Sequence, residues 1–135
     1  MLVSDLITIH QKTGIGCLSA YCGAISAGCG CGAGICYLLG GDYYAIAHTL
    51  VNAVAILSGT ICDGAKPSCA AKIAASVDAG ILGYQMYCND QQFRGGDGIV
   101  TKGVDDTIAN IGVLAKQGMQ ETDRVILEIM TTRCS

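Results

Sequence analysis

Between Gly14 and Ile61 the only ionisable side chains besides thiols and tyrosines are Asp42 and His48. A stretch this free of charge has to be buried, in a protein core or in lipid. Lipid is the poorer match. The stretch is broken by Gly40-Gly41-Asp42, is rich in Gly, Ser and Cys rather than Leu, Ile and Phe, and has no flanking Lys or Arg anchors. Buried helices of a soluble domain are therefore expected, with no membrane span. Hydrophobic residues make up 51% of the 135 positions, yet Trp is absent and Phe occurs once. The core has to come from Ala, Ile, Leu, Val and Cys, and the 19 glycines let helix backbones approach closely. The net charge is −3, and the eight Lys and Arg residues form no stripe, which argues against nucleic acid as a partner.

Helical periodicity recurs along the chain. Residues 2–12 read as a short amphipathic helix carrying Leu2, Leu6, Ile7 and Ile9. Residues 17–39 form a Gly/Ala/Cys-rich run that Gly40-Gly41 should stop. Asp42 is placed to cap a helix over 43–58, with Ile46, Leu50, Val54 and Leu57 on one face. A turn-forming segment with Gly59, Gly64 and Pro67 precedes a helix from Pro67 or Ser68 to about Tyr87. Residues 89–103 are polar and glycine-rich, and fit a surface loop or short hairpin. Val104, Ile108, Ile111 and Ala115 share a helical face up to Gly118. A last helix opens at Glu121 and Asp123, with Val125, Ile126, Ile129 and Met130 as its apolar stripe. The expected fold is all-α: one compact domain over 1–135, with five or six helices around a buried Gly/Ala/Cys-rich central helix.

Nine cysteines need an account. The number is odd, and MLVSDLITIHQK has no basic region followed by an apolar run. Reduced thiols and a cytoplasmic location are expected. Cys17, Cys29, Cys31 and Cys36 sit in the small-residue run, where Cys packs much like Ala. Cys88 reads as ordinary, and Cys134 as an exposed thiol on the tail.

Cys62 and Cys69 differ. They flank Asp63-Gly64-Ala65-Lys66-Pro67-Ser68 just before a helix. Such a loop can bend around a metal, offer N–H groups to sulfur, and place a thiolate at a helix N-terminus. The spacing is neither zinc-ribbon nor thioredoxin-like, and a third thiolate would have to come from elsewhere.

ICDGAKPSCAAK, with LSAYCGAISAGCGCGAGICYLLGG upstream and NIGVLAKQGMQETDRVILEIM downstream, resembles the L-cysteine desulfidases and the related α-subunit-like L-serine dehydratases. The resemblance runs through nearly the whole chain, in the family's order. Ser68 stands where many relatives have Gly. The resemblance implies a [4Fe–4S] cluster held by Cys22, Cys62 and Cys69, with one iron left open as a Lewis acid. It implies β-elimination on L-cysteine or L-serine, giving pyruvate, ammonia and sulfide or water. It also implies that this is the C-terminal, cluster-binding part, and that a missing N-terminal portion or subunit supplies acid and base groups. The chain alone is then expected to be inactive. Association into homo-oligomers is expected from its apolar small-residue surface.

Other readings stay beside this one. The same thiols could serve a zinc or iron structural module, or merely pack in a helical interaction domain. Asp63 and Lys66 could orient substrate or could solvate the turn. His48 reads as a hydrogen-bonded core residue and His10 as a surface residue. Gly28, Gly30 and Ala33 nominally fit a dinucleotide fingerprint, but no strand precedes them and Asp42 is too close to serve as the ribose acid. Lys66 is the one candidate for a pyridoxal-phosphate Schiff base, and an all-α chain with no phosphate-cradling loop argues against it.

Overall fold

The computed structural model describes residues 1–15 and 19–132. It contains α1 (Leu2–Ile15), α2 (Gly23–Leu38), α3 (Tyr43–Leu57), α4 (Ser68–Cys88), α5 (Val104–Val113), a π-helical turn (Leu114–Gly118) and α6 (Gln120–Thr132). The all-α expectation holds. Among the described residues, no helix is long and apolar enough to cross a membrane.

α2 is central and packs against α1, α3 and α4. Its small residues divide among its faces. Gly28 and Gly32, one turn apart, meet Ser76 and Gly80 of α4. A Cβ at Gly28 would lie 2.1 Å from Ser76 Cβ, and one at Gly32 would lie 2.5 Å from Gly80 Cα. Gly30 faces α1, where a Cβ would lie 2.6 Å from Ser4 O. Ile25, Cys29, Ala33 and Cys36 form a fully buried stripe. On α4, Gly83 faces α3, where a Cβ would lie 2.7 Å from Thr49 O.

The turn from α2 to α3 follows its sequence. Gly40 takes φ +86°. Its N–H donates to Tyr37 O, and Gly41 N–H donates to Cys36 O, closing a Schellman motif. Asp42 then accepts from Ala45 N at 2.9 Å and caps α3.

Residues 89–103 form the expected loop, built of turns, rather than the hairpin. They are pinned from inside: Asn52 accepts from Phe93 N and donates to Gly83 O, both at 3.1 Å, and Asn110 donates to Ile99 O at 2.9 Å. The helix ending at Gly118 is not α throughout. Met119 N–H reaches Leu114 O, an i→i+5 bond, while Ser19 Oγ donates to Ala115 O at 2.7 Å. The apolar stripe of α6 is only partly covered. Ile126 packs against the core, but Val125, Ile129 and Met130 stay exposed and the helix buries no residue fully. The buried face of α5 and the π turn does match, with Ile108, Ile111 and Ala115 inside.

The glycine contacts predict a contrast within α2. Gly32→Ala drives a methyl into the α4 backbone and should cost about 1–3 kcal/mol. Gly34→Ala meets Ser4 Cβ at an ordinary 3.6 Å. It should be neutral or stabilise by up to about 1 kcal/mol, since Ala is the better helix former. Urea unfolding of the two variants measures the difference.

The thiols should react in order of burial. Cys88 is exposed, whereas Cys29 and Cys36 are buried. Burial pushes the Cys29 thiol up to about 12 and raises that of Cys36, the latter opposed by the Thr49 hydroxyl. A group raised this far stays protonated as the pH climbs. Iodoacetamide should therefore label Cys88 and spare Cys29 at about pH 7 and again at about pH 9, until the chain is unfolded. Peptide mapping by mass spectrometry reads the pattern.

Candidate metal centre

Two short segments bring the predicted ligands into one region. Residues 20–22 lead into α2, and residues 60–62 follow α3. Tyr21 and Ile61 form an antiparallel bridge, with Cys22 N–H donating to Thr60 O at 3.2 Å and Cys62 N–H to Ala20 O. Tyr21 and Ile61 are thus a non-hydrogen-bonded pair, and the pleat sends Cys22 and Cys62 to the opposite face from them. The two cysteines are diagonal neighbours on that face, roughly 7–8 Å apart between backbones. Cys22 is buried, and Cys62 is half-buried against the core. Tyr21 is buried too, and burial raises its hydroxyl above the ordinary tyrosine range.

Beyond Cys62 the chain turns at Gly64, whose φ of +98° favours glycine. Met130 of α6 reaches this turn, 3.9 Å from where a Gly64 Cβ would sit. Pro67 caps α4 and Cys69 lies in its first turn. The N–H groups of Cys69 and Ala70 go to Lys66 O and Pro67 O rather than to sulfur. Cys69 Sγ itself faces Gly64 O at 3.6 Å.

Asp63 and Lys66, both singled out from sequence, form an ion pair. Lys72 joins them and was missed by sequence reasoning. Its ammonium donates to Ile61 O at 2.9 Å and to Asp63 Oδ1 at 3.0 Å. Lys66 and then Lys72 hold the Asp63 carboxyl down at about 2. Lys72 is raised in turn, first by Asp63, with further contributions from the thiols of Cys22 and Cys69. One lysine therefore stands within electrostatic reach of two of the three cysteines. The available signal was its spacing: three residues after Cys69, a helical side chain points back over the first turn.

Among the described residues, no three His, Cys, Asp or Glu side chains stand close enough together to hold a single metal ion. The seven described cysteines are free thiols, while Cys17 and Cys134 lie outside the described residues. Cys31 is half-buried with Ser4 Oγ at 3.8 Å from its sulfur. His10 is exposed and pairs with Asp105 at 3.2 Å. His48 is half-buried and stacks on Tyr87 at 5.6 Å rather than lying in the core.

The chain is similar to the UPF0597 protein of Desulfitobacterium hafniense, 70% identical over 135 residues that make up all of this chain and 31% of that protein. It is 52% identical to a UPF0597 protein of Treponema denticola and 53% to one of Lachnoclostridium phytofermentans, each over 96% of this chain and 30% or 31% of the relative. The chain thus spans about a third of the length of these relatives. No solved structure matches it. The family described as serine dehydratase alpha chain matches residues 1–128, and the chain belongs to that family.

Proposed function

We propose that this chain is the cluster-binding part of a lyase that eliminates the β-substituent of L-cysteine or L-serine, with Cys22, Cys62 and Cys69 holding a [4Fe–4S] cluster. The observation that carries this reading is the Tyr21–Ile61 bridge, which sets the segment of Cys22 beside the Cys62–Cys69 loop in a chain of the serine dehydratase alpha family. An all-thiol donor set suits iron–sulfur chemistry. A four-iron cluster also spans more widely separated thiolates than a single ion does, which fits cysteines that are neighbours without being in contact.

When bound, the cluster would supply a Lewis acid through the iron that three ligands leave open. The chain's own residues do the rest of the local work. Lys66 and Lys72 share the single carboxylate of Asp63, which leaves one positive charge beside the loop. That excess favours an anionic substrate carboxylate. Cys22 is buried and Cys62 packs against the core, while the rest of the loop is open to an incoming substrate. Loss of the α-proton and of hydroxide or hydrosulfide gives aminoacrylate, which hydrolyses to pyruvate and ammonia. The groups that move these protons belong to the remaining two-thirds of the relatives' length, supplied in the same polypeptide or by a partner subunit. The setting proposed for this chemistry is the cytoplasm.

Anaerobic reconstitution with iron and sulfide tests the reading. A broad band at about 400 nm that bleaches in air is expected, with roughly four irons per chain. Cys62→Ser, Cys69→Ser and Cys22→Ser should each reduce bound iron towards background. A colourless product holding stoichiometric zinc, or iron retention indifferent to all three substitutions, would sink the cluster assignment. Pyruvate formation from L-cysteine or L-serine should appear only when the rest of a full-length relative is supplied.

A further inference from the structure

A cleft lies near the other end of α3. The first two turns of that helix and the segment 92–104 enclose a cleft of about 460 Å³, within the range of small-molecule sites. Tyr43, Tyr44, His48, Phe93, Arg94 and Lys102 line it. α3 has 15 residues, so its first turn is roughly 20 Å along the axis from the end that leads into the cysteine loop.

The cleft is built rather than incidental. Asn52, fully buried, fixes the backbone at Phe93. Thr107, also buried, accepts from Thr101 N at 3.1 Å and donates to Gly103 O at 2.8 Å. Gly96 N–H donates to Val100 O, and the segment folds back on itself where Gly95 abuts the backbone of Lys102. A Cβ at Gly95 would lie 3.2 Å from Lys102 N. This crossing brings Arg94 and Lys102 to the same cleft.

Two cations therefore share a pocket in a chain whose net charge is −3. No carboxylate lines it. Three carboxylates stand just outside it: Asp97 accepts from Arg94 N at 2.6 Å, Asp106 Oδ2 lies 3.7 Å from where a Gly103 Cβ would sit, and Asp42 is committed to capping α3 through Ala45 N. Four of the other lining residues carry flat rings, Tyr43, Tyr44, His48 and Phe93. His48 is backed by Tyr87, their rings stacked at an interplanar angle of 16°, and Tyr43 and Tyr44 meet edge to face. Paired cations suit a carboxylate or phosphate, and flat side chains suit a planar ring.

We propose that this cleft binds a small anion that carries a planar ring, with the charged group against Arg94 and Lys102 and the ring against the tyrosines and Phe93. The site is independent of the cysteine loop. Two sources share this chemistry, a ring-bearing phosphate and a ring-bearing carboxylate. Calorimetric titration of the 135-residue chain with AMP and with phenylpyruvate distinguishes them. Saturable binding of at least one is expected, weakened by added salt. Inorganic phosphate should bind at least about tenfold more weakly than that ligand. The double variant R94Q/K102Q should lose about tenfold or more in affinity while keeping the parent's urea midpoint, because both side chains are on the surface. Tyr44→Ala should narrow the gap between the ring-bearing ligand and phosphate, and Cys62→Ser should change nothing. Failure of both AMP and phenylpyruvate to bind, undiminished binding by a folded R94Q/K102Q, or phosphate binding as tightly as either would overturn the proposal.

Discussion

The contact of α2 with α4 governs the rest of the structure. Gly28 and Gly32 lie against Ser76 and Gly80 so closely that no side chain fits between the two backbones. Close approach increases dispersion contacts along the whole interface, which compensates for the lack of large aromatic side chains. It also fixes the rotation of α2. With two faces committed to α1 and α4, the stripe of Ile25, Cys29, Ala33 and Cys36 has one place to go, the interior. The segment that enters α2 then has to pass beside the end of α3, where it pairs with residues 60–62.

Much of this was legible in the sequence because the signals were local. Gly40, Gly41 and Asp42 act within a few residues of themselves, and each makes the bond that its chemistry predicts. The helix from Ser68 follows from Pro67 in the same way. The π turn was not legible, since an i→i+5 bond leaves no mark in a pattern of apolar residues. The half-exposed stripe of α6 shows the complementary failure. Periodicity says which residues share a face, but not whether anything packs against it.

The candidate metal site divides along the same line. The loop from Cys62 to Cys69 declares itself by its two cysteines, its glycine and its proline. Cys22 lies far from it in sequence, and only the resemblance suggested it. Its nearness depends on a pair of backbone hydrogen bonds that no side-chain pattern encodes. Lys72 was missed for a different reason: on α4 it looks like an ordinary surface lysine, and its role depends on reaching back to the loop carbonyl of Ile61.

The π turn reaches further than its five residues suggest. It ends at Met119, whose φ of −95° and ψ of 6° break the winding, and α6 starts afresh from there, with Asp123 N–H donating to Met119 O at 2.9 Å. Met130 of that helix approaches the loop at Gly64. The same turn presents Ala115 O to Ser19, whose hydroxyl also accepts from Tyr21 N at 3.0 Å, one residue before Cys22. The π turn thus touches both sides of the cysteine region, holding the strand-like entry to α2 through Ser19 and leading into the helix whose Met130 reaches the loop.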